Sequence, residues 1–182
     1  SLKDVSLSYG NKPVLKNISF SVKAGTNNAI IGPTAAGKSQ LLLLLSGIIS
    51  PDSGSLEIDN ISIENYTREV FHRQIGFVFQ DSVIFNLTLK ENIAFSDIVT
   101  EESLKKAIET AELKDFIESL PDKLDTIVAE RGTSLSGGQK QRIMLARALA
   151  INPKILLLDD FTSRVDRQTE NKIVCNIRNN YP

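Results

Sequence analysis

At 182 residues, 41% of them hydrophobic and 24% charged, the chain has the makeup of one ordinary globular domain, or of a domain with an inserted lobe. A net charge of −1 and an isoelectric point near 5.9 argue against a broad nucleic-acid footprint, so no nucleic-acid partner is expected. The lone cysteine, Cys175, excludes an internal disulfide and fits a reducing compartment, and no run approaches the roughly 18 apolar residues of a membrane span. The first residues also lack the charged and apolar regions of a signal peptide. Any membrane role is therefore expected to come through partners or through segments outside this sequence.

In chain order, Val5-Ser6-Leu7-Ser8-Tyr9 and residues 15–22 read as strands, with Gly10-Asn11-Lys12-Pro13 as the turn between them. Tyr9 ends the first strand. Its ring is read either as a half-exposed sheet aromatic or as a face on which a base stacks. Asn28-Ala29-Ile30-Ile31 reads as a short buried strand, and Gln40-Leu41-Leu42-Leu43-Leu44-Leu45 as a helix buried on every side.

Between them lies Gly32-Pro33-Thr34-Ala35-Ala36-Gly37-Lys38-Ser39, which fits the phosphate-loop pattern G-x-x-x-x-G-K-[ST]. Successive backbone N–H groups of such a loop form a concave anion site, and the helix N-terminus adds partial positive charge. Lys38 supplies a point charge to the β- and γ-phosphates, and the Ser39 hydroxyl completes the shell of a Mg²⁺ ion. Nucleotide phosphate binding is the expected consequence.

Downstream, Ser55-Leu56-Glu57-Ile58 and Ile61-Ser62-Ile63 flank Asp59-Asn60 as a hairpin that adds to the opening strands. Residues 75–79 form a strand that stops at Gln80, and His72, before it, reads as a surface residue. From Asp81 the pattern becomes helical. Thr100 is placed to cap an amphipathic helix over 101–113 with Leu104, Ala107, Ile108 and Ala111 on one face. Residues 116–120 continue helical as far as Pro121. Leu135-Ser136-Gly137-Gly138-Gln139 then opens a helix over 140–150 that Asn152-Pro153 ends.

The run Ile155-Leu156-Leu157-Leu158 fits a central parallel strand buried on both faces. It delivers Asp159 and Asp160 at its carboxyl end, where open α/β sheets place ligands. A pair of carboxylates there can be a helix-capping turn. Beside a phosphate loop, Asp159 suits Mg²⁺ and Asp160 suits a base that orients the attacking water. Ser136 with the two glycines can likewise be an ordinary N-cap or a second anion site. Residues 169–180 close the chain as a helix.

Leu135 to Gln139, with the phosphate loop before it and residues 155–160 after it, resembles the nucleotide-binding domain of an ABC transporter, over nearly the whole chain. The resemblance implies an α/β fold of the P-loop NTPase kind: a RecA-like core with an antiparallel β-subdomain (1–80 and 142–182) and an inserted helical subdomain (81–141). It makes Gly32, Pro33, Thr34, Ala35, Ala36, Gly37, Lys38, Ser39 and Gln40 the Walker A contacts to ATP. Ser136, Gly137, Gly138 and Gln139 become the signature, and Ser163-Arg164-Val165-Asp166 the D-loop. Tyr9 becomes the adenine-stacking ring. Gln80, the Q-loop glutamine, joins Ser39 and Asp159 at Mg²⁺ and Asp160 at catalysis.

Two stretches resemble exporter members in particular: Phe-Asn-Leu-Thr-Leu-Lys-Glu-Asn-Ile at 85–93 and Thr-Ile-Val-Ala-Glu-Arg-Gly at 126–132, a loop that in exporters contacts the transmembrane coupling helices. The implied partners are a transmembrane domain and a second ABC ATPase domain, paired head to tail at the cytoplasmic side of the membrane. A slowly hydrolysing nucleotide-gated module and a soluble or importer-type ATPase are the alternatives. The departures are Ala35, where many members have glycine, and Asp160, where most have glutamate. With a complete signature beside it, Asp160 points to the weaker half of a heterodimer, the alternative being a homodimer in which Asp160 adjusts and catalyses slowly. No histidine follows Walker B, and the family's switch histidine is expected beyond Pro182.

Overall fold

Leu2, Val5 and Leu7 turn inward from β1 (Leu2–Tyr9), which pairs antiparallel with β2 (Lys12–Phe20) through a two-residue connection at Gly10 and Asn11. On its other edge β1 pairs antiparallel with β3 (Ser53–Ile58). That strand reverses at Asp59 and Asn60, with φ of 50° and 63°, into β4 (Ile61–Ser62). Two consecutive residues with positive φ are what a hairpin turn matched to strand twist requires, and Asp and Asn are among the side chains that tolerate it. The sheet order is β2-β1-β3-β4. Leu41 and Leu44 of α1 (Lys38–Leu45) join Leu2, Val5, Leu7, Leu15 and Leu56 in one apolar cluster. Leu43 and Leu45 are half-buried, so α1 is not buried on every side as its composition suggests. The short α2 (Arg68–His72) follows, with His72 exposed.

The computed structural model describes residues 1–81, 83–128 and 134–181, in two units, Ser1–His72 and Arg73–Pro182. In the first unit the strand expected at 28–31 is absent. These residues have no regular secondary structure, and Ile31 is 91% exposed. The cause is local. The Thr26 hydroxyl donates to the Lys23 carbonyl at 2.6 Å, and Asn28 Nδ2 donates to Thr26 Oγ1 at 2.8 Å. Side-chain bonds of this kind offer the chain a turn in place of a ladder. No strand of this unit pairs with 28–31.

In the second unit β5 (Ile75–Val78) and β6 (Ile155–Leu158) run parallel, in register from Ile75 opposite Ile155 to Val78 opposite Leu158. Their helical neighbours are α3 (Leu89–Ile93), α4 (Glu101–Thr110), α5 (Lys114–Glu118), α6 (Gly137–Ala150) and α7 (Arg167–Asn180). The long α6 packs on α3, α4 and β5, and α7 packs on α4. Val78, Leu89, Ile93, Leu104, Ile143, Leu149 and Ile173 meet in one core, so the helices between 81 and 141 share their interior with β5 and α7. Only Leu157 of β6 is fully buried, and Ile155, Leu156 and Leu158 are half-buried. The expectation of burial on both faces fails because β6 has one strand neighbour among the described residues.

Candidate functional site

The phosphate loop lies in the first unit, with residues 32–36 exposed. Ala36 N–H donates to the Pro33 carbonyl at 3.3 Å, and Ala35 and Gly37 take φ of 63° and 87°. Gly37 is the N-cap of α1 and has no room for a side chain. A Cβ there would lie 2.9 Å from Leu15 Cδ2 and 3.1 Å from the Val14 carbonyl. No side chain caps α1 and no acidic residue lies in its first turn, whereas α3, α4, α6 and α7 all carry side-chain caps. The amides of Lys38, Ser39 and Gln40 are the orphan donors of a helix start, beside a positive dipole end. That is the chemistry of an anion site, and it fits a phosphate.

Lys38 Nζ folds back over the loop and donates to the Gly32 and Pro33 carbonyls at 2.9 and 2.8 Å. The ammonium is thus held at the mouth of the loop. Ser39 is half-buried, and its hydroxyl has no partner among the described residues. Tyr9 and Gln40, far apart in sequence, are brought together: the Tyr9 hydroxyl donates to Gln40 Oε1 at 2.6 Å.

In the second unit Gln80 and Asp159 leave adjacent parallel strands at the same, carboxyl end, and Asp159 N–H donates to the Val78 carbonyl at 2.9 Å. Among the described residues the carboxylates of Asp159 and Asp160 and the amide of Gln80 are without hydrogen-bond partners. The Asp159 carboxylate and the Gln80 amide oxygen at this edge are hard oxygen donors, the kind that suit Mg²⁺. Asp160 is exposed and has φ of 51°.

The signature residues open α6. Ser136 Oγ accepts from Gln139 N–H at 3.2 Å while Gln139 Oε1 accepts from Ser136 N–H at 2.8 Å, a capping box. Ser136 and Gln139 therefore satisfy one another, and the amides of Gly137 and Gly138 remain donors of an open helix start. Both glycines are pressed by Arg164: a Cβ at Gly138 would come within 2.8 Å of the Arg164 carbonyl. Asp166 caps α7 through Thr169 N–H at 3.0 Å, and that bond holds its carboxyl below the usual range.

No motif in the sequence marks Gln141. Its side chain is 1% exposed. Nε2 donates to the Asp160 carbonyl at 3.3 Å and to Ser163 Oγ at 3.2 Å, and Oε1 accepts from Arg164 N–H at 3.0 Å. One side chain thus ties the signature helix to the turn that follows β6. Its amphipathic position on α6 gave no hint of this, since a glutamine there reads as solvated.

The two exporter-like stretches meet. Thr88 bridges Ile127, with Leu89 N–H donating to the Thr126 carbonyl at 3.0 Å and Val128 N–H to the Leu87 carbonyl at 3.0 Å. Residues 129–132 of the second stretch lie outside the described residues. The first stretch is gathered by Asn92, fully buried, whose Nδ2 donates to the carbonyls of Phe85, Leu87 and Thr88. Arg147 of α6 donates from Nε to the Asn92 carbonyl at 2.6 Å and from its terminal nitrogens to Asn92 Oδ1 and the Val83 carbonyl. Burial pushes the Arg147 guanidinium down to about 10. Phe85 and Phe95 stack at 5.0 Å, and with Leu87 and Ile127 they leave apolar surface in the open.

The ABC transporter family profile matches residues 15–163. The chain is 43% identical over 179 residues to a beta-(1→2)glucan export ATP-binding/permease protein of Rhizobium etli, covering 97% of this chain and 30% of that protein. It is 42% identical over 171 residues to an ATP-dependent lipid A-core flippase of Desulfotalea psychrophila, covering 93% and 30%. It also superposes on the structure of a bacterial Atm1-family ABC exporter with ATP bound, at a TM-score of 0.92 and 40% identity, over 98% of this chain and 32% of the other. The chain spans about three-tenths of the length of the curated relatives it matches. Loop, signature and carboxylate pair, in this order on this fold, make the chain a P-loop nucleotide-binding domain of the ABC transporter family.

Proposed function

We propose that this chain is the ATP-binding domain of an exporter and couples ATP-driven dimerisation to transport through a transmembrane partner, at the cytoplasmic face of the membrane. The observation that carries the reading is the uncapped start of α1 with Lys38 beside it. The amides of 38–40 and the Lys38 ammonium bind the phosphates. Mg²⁺, when bound, neutralises phosphate charge. Ser39, Asp159 and Gln80 would hold it through hydroxyl, carboxylate and amide oxygens. Asp160 orients the attacking water as the catalytic base, and Gln80 assists.

The exporter reading is supported by the pairing of 85–93 with 126–128 and by the apolar surface of Phe85, Leu87, Phe95 and Ile127, a surface suited to the transmembrane domain. In the family arrangement, 1–80 with 142–182 forms the core and β-subdomain, and 81–141 the helical subdomain. A second ABC domain faces this one, and the signature of each closes over the nucleotide of the other. Asp160 is one methylene shorter than glutamate, which withdraws the carboxylate by roughly 1 Å, enough to cost about 10²-fold in rate. With the signature intact, the chain serves as one half of a heterodimer. Its own site retains ATP, and its signature completes the partner's hydrolytic site.

The phosphate-loop assignment is tested by calorimetric titration of ATP into the chain and its Lys38→Ala variant. Affinity falls by about tenfold or more when the charge is removed. Equal affinity would remove Lys38 from the site.

A further inference from the structure

We propose that Gln40 is the positioning residue for the nucleotide base, holding the Tyr9 ring at a set place relative to the phosphate loop. The inference rests on the reading that Tyr9 stacks the base, and deepens it. The Tyr9 hydroxyl donates to Gln40 Oε1 at 2.6 Å, while the residue stays 53% exposed. The polar tip is therefore satisfied and fixed, and the ring remains available for stacking.

Gln40 stands on the first turn of α1, directly after Ser39 and two residues after Lys38. The ring is thus tied to the helix whose amides face the phosphates. The backbone that carries Tyr9 is fixed as well. Ser8 N–H donates to Asp52 Oδ2 at 2.7 Å, and Asp52 N–H donates to the Ser6 carbonyl at 2.8 Å. At the far side of the hairpin, Val14 and Leu15 press on Gly37 so closely that no side chain fits there. Base and phosphate elements therefore meet at two independent contacts, Tyr9 with Gln40 and β2 with Gly37.

An exposed tyrosine without such a tether loses rotamer freedom when a base binds. With the tether, that freedom is already spent in the free protein. Preorganisation of one side chain is worth about two- to tenfold in affinity. Because the tether acts on the base, it has less effect on a ligand that consists of phosphates alone.

The test uses calorimetric titration of the full chain with two probes, ATP and inorganic tripolyphosphate. Tyr9→Phe keeps the ring and removes the hydroxyl, and Gln40→Leu removes the acceptor with little change in helix preference. Each weakens ATP binding about two- to tenfold, the double variant is no weaker than either single one, and tripolyphosphate binding weakens less than ATP binding in each. Tyr9→Ala separates the two layers of the reading. If Tyr9→Ala weakens ATP while Tyr9→Phe and Gln40→Leu bind as the parent does, stacking stands and the tether is overturned. If Tyr9→Ala also binds ATP as the parent does, the stacking role fails and the tether with it. Equal weakening of tripolyphosphate in Gln40→Leu would also overturn the proposal, since Gln40 would then act on the phosphate loop.

Discussion

Ala35 holds a left-handed backbone, φ 63°, at the crown of the phosphate loop. An L-residue with a Cβ is disfavoured there by about 1–2 kcal/mol, a strain that glycine does not carry. Glycine in turn gives the unfolded chain more freedom, which offsets about 0.4–1 kcal/mol. Ala35→Gly is therefore expected to stabilise the chain by about 1 kcal/mol, read as a raised midpoint in urea unfolding with unchanged slope. Asp160 also has positive φ, but aspartate is among the residues that tolerate it. The sequence shows both departures from the family pattern. It does not show that both sit in the left-handed region, because φ depends on how the loop and the β6 turn close. Gln141 was illegible for a similar reason: its three bonds reach 19 to 23 residues along the chain.

Helix starts were the most legible elements. Thr100 caps α4 inside a capping box as expected, because a cap is written in the residues that form it, whereas Ser136, read as either an N-cap or an anion site, caps α6, which starts at Gly137 and not at 140. Residues 28–31 were misread, because a strand exists only with a partner and an apolar run does not name one. Asp166 and Glu91 are capping carboxyls, and both titrate below their ordinary values of 3.8 and 4.5. Asp166 is held there by the Thr169 N–H, and Glu91 first by the Thr88 hydroxyl. A lowered folded-state pKa gives stability that is present above the unfolded-state value and is lost as pH falls through the folded-state value. Helicity followed by far-ultraviolet circular dichroism should therefore decline as pH falls below about 4. Asp166→Asn keeps a good cap and should remove its share of that decline while leaving neutral-pH helicity unchanged. Asn92 is the element-scale hinge of the exposed apolar surface. Asn92→Ala leaves the Phe85 N–H and several carbonyls without their partner, so it should destabilise the second unit by about 2–4 kcal/mol in denaturant unfolding. A loss under about 0.5 kcal/mol would mean that water replaces the side chain.

At the scale of the whole molecule, the chain carries a phosphate loop in its first unit and a signature helix in its second. A P-loop domain that binds its own nucleotide has no need of a second phosphate-facing helix start. In the proposed head-to-tail pairing each of the two domains would supply one half of each composite site, which accounts for both features. No helix among the described residues is long and apolar enough to cross a membrane. In the proposed exporter, dimerisation would act on the transmembrane partner through the apolar surface near 85–95 and 127. In the proposed heterodimer this signature serves the hydrolytic site while this chain's Walker site retains ATP. The direct measurement is ATP turnover of the assembled full-length transporter carrying Ser136→Arg, compared with the same substitution of the partner's signature serine. Ser136→Arg is expected to abolish turnover, whereas the partner's substitution leaves a large part of it. Turnover that survives Ser136→Arg and is lost with the partner's substitution would reverse the assignment. Equal loss from both would contradict the asymmetry and leave two equivalent sites.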